Sequence, residues 1–228
     1  MGRAIDNAGI QFRMLNLSKG PAVQGPRSQA DRELYKNAVK KILNEHKNIS
    51  ILEGTVADIK FSNGKINSVI LENGEEIFCV SLILTTGTFL GGKIFIGQEN
   101  YSAGRIGDTS SISLSKKIRS LNFPVGRLKT GTPPRILKES INWENIEMQD
   151  ADKTPQPFSY LNEKIKVKQI KCGIIRTNIE THKIIEKNIN LSAVYSGSIS
   201  GKGPRYCPSI EDKILRFKDK ESHQIFLE

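Results

Sequence analysis

The chain has 228 residues, of which 37% are hydrophobic and 25% are charged, a composition that indicates a globular protein with a buried core. No run of about 18 apolar residues is present, which argues against a membrane span. Lys and Arg outnumber Asp and Glu by 34 to 24, and the net charge of +10 favours acidic partners, nucleic acid first. A lysine-rich composition imposed by an AT-biased genome explains the charge equally well.

The three cysteines, Cys79, Cys172 and Cys207, are far apart and form no Cys-x-x-Cys pair. Their odd number and wide spacing argue against a disulfide framework and against a zinc site. The histidines also lack cysteine or carboxylate neighbours at metal-ligand spacing. We therefore expect reduced thiols, no bound metal, no secretory signal and a cytoplasmic location.

A loop and then a helix are predicted near the N-terminus. Residues 11–27 carry two prolines, two glycines and three cations, a pattern typical of an irregular loop. The next stretch predicts a helix over residues 29–46, with Ser28 as the N-cap and Asp31 three residues on. Its apolar side chains recur at helical spacing and predict one inward stripe. The stripe comprises Leu34, Ala38 and Ile42.

A meander of antiparallel strands is predicted between residues 49 and 86. The hydrophobic period changes to two, and the dipeptides Asn63-Gly64 and Asn73-Gly74 are strong hairpin signals. The meander ends in "LILTTG", a short apolar run that predicts a fully buried strand. Cys79 lies inside the meander, where a small packed side chain is its expected role.

Glycines and cations follow the predicted buried strand. Four glycines fall between Gly87 and Gly97, and glycines after a strand allow close approach of a ligand to the backbone. A helix then begins near Asp108, Ser110 or Ser111, and such a terminus can hold a phosphate. The stretch "FPVGRLKTGTPPRI" predicts a short strand and a turn with three cations that suit an anion. Those cations are Arg127, Lys129 and Arg135, and an ordinary solvated loop is the alternative.

The C-terminal part combines a polar segment with three short elements. Residues 137–170 are polar, lysine-rich and irregular, with weak strands. "KCGIIRTN" predicts a strand, and "IETHKIIEKNI" predicts a helix with Ile179, Ile184 and Ile185 inward. In "GPRYCPSIEDK", Cys207 lies between a turn and a helix start at Pro208–Ser209. Composition alone leaves a core residue, a metal ligand, a disulfide partner and a nucleophile open for this thiol.

Five long motifs together carry a resemblance to a known family. They are "GIQFRMLNLSKGPAVQGPRSQADR", "LTTGTFLGGKIFIG", "YSAGRIGD", "VGRLKTGTPPRI" and "GPRYCPSIEDK…HQIFLE". In that order and at those separations, they resemble the GidA family, also called MnmG. That family is the flavoprotein subunit of the enzyme that adds a carboxymethylaminomethyl group to the tRNA wobble uridine. The resemblance covers essentially all 228 residues.

The resemblance implies an α/β fold that is part of a flavoprotein with two dinucleotide-binding domains, similar to glutathione reductase. Residues 1–90 would be part of the FAD-binding domain, including the antiparallel β-meander. Residues 91–228 would form an NAD-binding or insertion domain. The family's first Gly-x-Gly-x-x-Gly motif and first reactive cysteine have no counterpart in this sequence. We therefore expect an internal fragment that is inactive in isolation and binds little or no FAD.

The resemblance also implies site residues. Val56 and Ser111 match FAD contacts, and the turn of Thr86, Gly87 and Thr88 matches a flavin-domain signature. Lys129, Thr130 and Arg135 match a loop facing the flavin, and Lys129 and Arg135 are the expected catalytic cations. Ala103 stands where the family usually has glycine. The segment that matches the NAD-binding stretch comprises Gly203, Pro204, Arg205, Tyr206, Cys207, Pro208, Ser209, Ile210, Glu211, Asp212, Lys213, Ile214, Leu215, Arg216 and Phe217.

The implied chemistry gives Cys207 a catalytic role as the family's second essential cysteine. NADH reduces FAD, and the reduced flavin mediates transfer of a folate-derived one-carbon unit to C5 of the uracil, with glycine or ammonium as the source of the amine. A thiolate that adds to C6 makes C5 nucleophilic. Arg205, Lys213 and a helix N-terminus favour that thiolate. The implied partners are tRNA and the GTPase MnmE, with a family homodimer that forms a heterotetramer with MnmE.

Two other functions stay open at this point. The first is a non-catalytic remnant of a split gene that binds RNA or partner fragments by charge. The second is a relative of the folate- and FAD-dependent tRNA uridine methyltransferases. The segment "GPRYCPSIEDK" favours the carboxymethylaminomethyl enzyme over the methyltransferase.

Overall fold

The computed structural model describes residues 1–87, 89–199 and 208–228. The chain divides into two compact units, each built from separate stretches of sequence. The first comprises Met1–Ile51, Arg135–Asn178 and Ser222–Glu228, and the second comprises Leu52–Pro134 and Ile179–Glu221. These two units are defined by which residues pack together. The predicted boundary at residue 90 separates an FAD-binding part from an NAD-binding or insertion part, and it stays a prediction.

The first unit begins with helix α1 (Gly2–Asp6) and a hairpin of strands β1 (Gly9–Leu15) and β2 (Gly25–Ala30). The prediction of an irregular loop over residues 11–27 is therefore wrong for 11–15 and 25–27, whereas residues 16–24 form only short 3₁₀ turns between the strands. The two strands pair antiparallel from Gly9↔Ala30 to Leu15↔Gly25. β1 alternates apolar and polar residues, a strand signal that the prediction missed, whereas β2 is polar and contains Pro26. Phe12, 2% exposed, packs from this hairpin into the core of the unit.

Helix α2 (Arg32–Asn44) confirms the predicted helix but begins later than expected. Asp31 is its N-cap, and the Asp31 carboxylate accepts a 2.9 Å hydrogen bond from Leu34 N. Ser28 lies instead in β2. None of the residues of α2 is fully buried. Ala38 and Ile42 of the predicted stripe are half-buried, whereas Leu34 is 42% exposed, so the stripe is confirmed only in part.

A small antiparallel sheet completes the first unit. Its strand order is β10-β9-β8, with β8 at Glu147–Gln149, β9 at Cys172–Arg176 and β10 at Gln224–Leu227. β9 confirms the strand predicted from "KCGIIRTN". Short 3₁₀ turns at Lys138–Ser140 and Trp143–Asn145 precede β8, in agreement with the irregular polar segment. The sheet joins the hairpin because Gln11 Nε2 donates to Gln149 O at 3.1 Å.

The second unit contains the predicted meander. Strands β3 (Val56–Ser62), β4 (Lys65–Leu71) and β5 (Glu76–Phe78) pair antiparallel in that order. Asn63 and Gly64 both have positive φ, at 50° and 74°, as the first Asn-Gly turn requires. Ile59, Val69 and Leu71 point into the core of the unit. The prediction of an antiparallel meander is confirmed.

The stretch after the meander is not a buried strand. Residues 81–86 form neither a strand nor a helix, and Ile83 is 85% exposed. Cys79 is half-buried rather than fully packed. A central strand is buried only when neighbours pair with its edges and cover its faces. No described residue does this for 81–86, so the prediction from apolar composition is wrong in this structure.

A short hairpin and helix α3 follow. Strands β6 (Lys93–Ile96) and β7 (Glu99–Ser102) form a hairpin that the sequence prediction missed. α3 spans Ile112–Ser120 with Ser111 as its N-cap, which confirms the predicted helix. The strand predicted in "FPVGRL" is not formed, because residues 123–127 have no regular secondary structure.

Two helices complete the second unit, α4 (Ile179–Lys187) and α5 (Ile210–Arg216). Both confirm predicted helices. Ile179 and Ile184 are 51% and 62% exposed, so the prediction that they point inward is wrong, whereas Ile185 is half-buried. Among the residues that the structure describes, no helix is long and apolar enough to cross a membrane.

Candidate functional site

The glycine segment, residues 86–87 and 89–92, is held against the start of α3 through Leu90 and Gly91. Gly91 N donates to Ser111 O at 3.1 Å, and a parallel bridge joins Leu90 to Ser111. Ser111 is the N-cap residue, yet its side chain makes no capping hydrogen bond. The Ser111 hydroxyl is therefore not used for capping and is available to an external acceptor, whereas Ile112 N, the first N–H group of α3, donates to Ser110 O at 2.9 Å.

Gly92 is required by a close approach of two backbone segments. A Cβ at Gly92 would lie 2.5 Å from Ala103 O and 3.0 Å from Phe89 O. Gly92 N donates to Phe89 O at 2.9 Å, and Ala103 N donates to Gly92 O at 3.2 Å. This glycine therefore serves internal packing rather than contact with a ligand.

Gly87 differs from Gly92 in having space around it. Its φ is +66°, a conformation that favours glycine, and no heavy atom lies within 4 Å of a Cβ built there. Thr86 precedes it as an exposed residue, and Thr88 lies outside the described residues. The backbone at Gly87 is therefore open for the close approach of a ligand.

Ala103 confirms that alanine is tolerated where the family usually has glycine. The residue is 3% exposed, and its φ is not among the positive values, which outside glycine occur at Asn16, Asn63 and Asn122 in the described chain. Its methyl group therefore packs without backbone strain.

Helix α3 packs against β3, the strand that begins with Val56. Lys117 Nζ lies 2.8 Å from Asp58 Oδ1 and about 6.0 Å from the centroid of the Phe61 ring. The hydrogen bond from Lys117 lowers the pKa of Asp58 below its ordinary value. Val56 is half-buried and pairs with Leu71 in the meander. The structure thus gathers the elements that carry Val56, Gly87 and Ser111 in one unit.

Arg127, one of the three cations predicted to suit an anion, instead contacts the protein backbone. Arg127 Nη2 donates to Gly91 O at 2.9 Å, so this guanidinium fixes the glycine segment. Lys129 is half-buried in the same unit, and Arg135 is an exposed residue of the first unit. Neither forms an ion pair within the described residues. A cation near the glycines was visible in the sequence, but its partner 36 residues away was not.

The predicted NAD-binding stretch is only partly described. Gly203, Pro204, Arg205, Tyr206 and Cys207 lie outside the described residues. Helix α5 begins where the sequence predicted it, and the side chain of its N-cap Ser209 accepts a 3.3 Å hydrogen bond from Asp212 N. Ile214 is 2% exposed and anchors the helix in the unit. The other residues of this stretch, Pro208, Ile210, Glu211, Lys213, Leu215, Arg216 and Phe217, lie on α5 or directly beside it.

Hydroxyl groups engage the carboxylates of α5. Tyr195 Oη donates to Asp212 Oδ1 at 2.5 Å, and Ser192 Oγ lies 3.5 Å from a Glu211 carboxylate oxygen. Burial and the hydrogen bond to Asp212 raise the pKa of Tyr195 to about 12. Tyr195 therefore stays protonated and acts as a donor at neutral pH.

The remaining cysteines have different surroundings. Cys172 is buried, and burial raises the pKa of its thiol above the ordinary value, whereas Cys79 is half-buried. A buried neutral thiol is a poor nucleophile. Within residues 1–87, 89–199 and 208–228, no three His, Cys, Asp or Glu side chains cluster at metal-binding distance.

The sequence model of the family described as "Glucose inhibited division protein A" matches residues 1–228. The chain belongs to the glucose inhibited division protein A family. This GidA segment is 54% identical over 231 residues to the tRNA uridine 5-carboxymethylaminomethyl modification enzyme MnmG of Granulibacter bethesdensis. The match covers 100% of this chain and 37% of that protein. The family resemblance predicted from the five motifs is therefore confirmed.

Two solved structures of Aquifex aeolicus GidA share the fold. The form I crystal structure has a TM-score of 0.87 at 45% identity, and the form II structure has 0.85 at 42%. Each match covers 100% of this chain, with 39% and 37% of the respective GidA chains. The predicted α/β fold class is confirmed.

Proposed function

We propose that this chain supplies part of the cofactor-binding and catalytic region of an enzyme that adds a carboxymethylaminomethyl group at C5 of the tRNA wobble uridine. The main support is the relative with that activity in its name, which is 54% identical across the whole chain. The chain spans 37% of that relative, so the complete activity is proposed for the protein in which this segment operates.

We place FAD against the meander and α3. Gly87 leaves open space beside its backbone, and the Ser111 hydroxyl is not used for capping, so both fit a polar cofactor that approaches closely. Val56 lies on the strand that packs against α3 and supplies apolar surface. When bound, FAD supplies the redox chemistry that NADH drives. These residues hold and orient the cofactor rather than react.

We assign the nucleophile to Cys207. Arg205 and Lys213 lie close in sequence and favour the thiolate over the thiol. The Cys207 sulfur forms a bond to C6 of the uracil, and the electron pair released at C5 attacks the methylene carbon of the folate-derived donor. Loss of the C5 proton then expels the folate nitrogen as a free amine and leaves an exocyclic methylene at C5. The amine of glycine adds to this methylene, and departure of the sulfur from C6 restores the ring and the thiolate. Lys129 and Arg135 are proposed to stabilise negative charge during these steps.

The partners follow from the same proposal. The net charge of +10 suits the phosphate backbone of tRNA. We propose a cytoplasmic enzyme that binds NADH through the stretch 203–217 and works with the GTPase MnmE as a heterotetramer built on a family homodimer.

A transplant tests the cysteine assignment in a complete protein. The matching segment of the Granulibacter bethesdensis relative is replaced by these 228 residues, and Cys207→Ser is compared with the matched control Cys79→Ser. Modification of wobble uridine is measured by mass spectrometry of tRNA nucleosides, and bound flavin by absorbance. We expect Cys207→Ser to abolish modification with flavin retained, and Cys79→Ser to change neither. Full modification by Cys207→Ser would exclude the thiol as nucleophile.

A further inference from the structure

The first unit contains an open cavity of about 530 Å³ beside the β1–β2 hairpin. Residues 13–19 form one side of this basic cavity, and Arg27, Gln149, Gln224 and Phe226 complete its lining. The predicted cofactor contacts in the second unit do not contribute to it. Its volume matches that of sites for small organic ligands.

The lining carries three cations, Arg13, Lys19 and Arg27, and no carboxylate. Arg13 and Arg27 are directly opposite in the register of β1 and β2, an arrangement that is unfavourable for like charges. In the described part of the chain, none of the three forms an ion pair within 4.0 Å. The fold therefore holds concentrated positive charge at a concave surface.

Arg27 has an unused pair of donors. Its guanidinium lies 5.3 Å from the centroid of the Phe226 ring, and its Nε and Nη2 atoms are buried without a hydrogen-bond partner among the described residues. These two nitrogens form the edge that donates two parallel hydrogen bonds to an oxyanion. Leaving such donors buried and unpaired destabilises the folded chain, so a ligand that accepts from them is favoured. The same residue lines the basic cavity.

Nearby acidic groups leave this edge unpaired. Asp152 lines a small adjoining cavity with Arg27, but its Oδ2 accepts a 2.6 Å hydrogen bond from Met14 N. Glu228 acts on Cys172 through its charge and does not line the basic cavity. Arg13 is oriented by donation from its Nη1 to Asp150 O at 2.6 Å. Neither Asp152 nor Glu228, both within the described residues, forms an ion pair with Arg27 within 4.0 Å.

We propose that the basic cavity binds a phosphate group of a nucleotide, with Arg27 as the bidentate anchor and Arg13 and Lys19 as supporting cations. Three cations match a phosphate better than a singly charged carboxylate, because phosphate offers more oxygens and up to two negative charges. Met14, Leu17 and Phe226 give the remaining wall an apolar surface that suits the body of a nucleotide. This site is independent of the proposed wobble-uridine reaction.

Calorimetric titration of the purified 228-residue chain tests the proposal. Uridine 5′-monophosphate, inorganic phosphate and acetate are compared, and we expect affinity to fall in that order, with no measurable binding of acetate. Arg27→Gln should weaken mononucleotide binding at least tenfold, whereas Arg32→Gln, the same change at an exposed position on α2, should alter it less than twofold. Equal losses in the two variants, or equal binding of acetate and phosphate, would overturn the proposal.

Two further measurements keep the test decisive. Lys19 is an exposed residue at the end of a short 3₁₀ turn, where substitutions have little effect on folding. Lys19→Gln should therefore weaken binding about threefold, and it remains a usable variant if Arg27→Gln does not fold. A short single-stranded RNA separates the two sources of phosphate. Displacement of this RNA by uridine 5′-monophosphate assigns an RNA strand to the cavity, whereas independent binding of both assigns the free nucleotide. Failure of the chain to bind any phosphate compound excludes the site.

Discussion

Replacing Gly92 by alanine perturbs the contact that holds the glycine segment in place. The added Cβ would lie 2.5 Å from Ala103 O and 3.0 Å from Phe89 O, which are backbone atoms rather than flexible side-chain ends. Overpacking of this kind costs about 1–3 kcal/mol. The loss of chain entropy in the unfolded state returns about 0.4–1 kcal/mol. The expected net destabilisation is therefore about 1–2 kcal/mol.

Urea unfolding of the chain followed by circular dichroism measures this change. With an m-value of about 2 kcal/mol/M, the midpoint should fall by about 0.5–1 M. Gly126→Ala is the matched control, because its Cβ meets no heavy atom within 4 Å and its φ is not positive. The control should leave the midpoint unchanged or raise it slightly. Equal midpoints for the two variants would refute the close approach at Gly92.

Three further predictions concern ionisable groups. The hydrogen bond from Lys117 lowers the pKa of Asp58, so the stabilisation that this pair gives is complete above pH about 4 and is lost as pH falls through the lowered pKa. Asp58→Asn should cost about 0.5 kcal/mol at pH 7 and less at pH 3 in urea titrations, and an equal cost at both would contradict the pair. In the folded chain at pH 8, Cys172 should react with a thiol reagent far more slowly than Cys79, and urea should remove the difference. Peptide mass spectrometry measures the two rates. Equal rates in the folded chain would contradict the burial and the raised pKa of Cys172. The pKa of Tyr195 is raised to about 12, so the stabilisation from its hydrogen bond to Asp212 is present below pH about 10 and is lost as pH rises through 12. Tyr195→Phe should remove the last step of the absorbance titration at 295 nm. Loss of an earlier step instead would contradict the raised pKa.

Local signals in the sequence predicted the parts of the fold that depend on neighbouring residues. The two Asn-Gly dipeptides located the meander because that turn demands positive φ, which Asn63 and Gly64 adopt. The starts of α3 and α5 were also foreseen, since Ser111 and Ser209 are residues typical of N-caps.

Parts that depend on distant pairing were not predictable in this way. In the β1–β2 hairpin, the polar strand β2 becomes recognisable only when Arg27 faces Arg13 across the ladder, whereas the apolar–polar alternation of β1 was a local signal that the prediction missed. Burial of an apolar run depends on covering elements, and Ile83 has none among the described residues. The same limit applies to the candidate site, where the Arg127–Gly91 hydrogen bond joins residues 36 apart.

We propose that these 228 residues carry out part of the wobble-uridine reaction. The chimaeric protein without any point substitution provides the test of this proposal. The Granulibacter bethesdensis protein with this segment in place is produced in cells that lack their own family member, and tRNA nucleosides are quantified by mass spectrometry. We expect the tRNA from these cells to regain carboxymethylaminomethyl groups at the wobble uridine. A folded, flavin-bearing protein that leaves this uridine unmodified would contradict it.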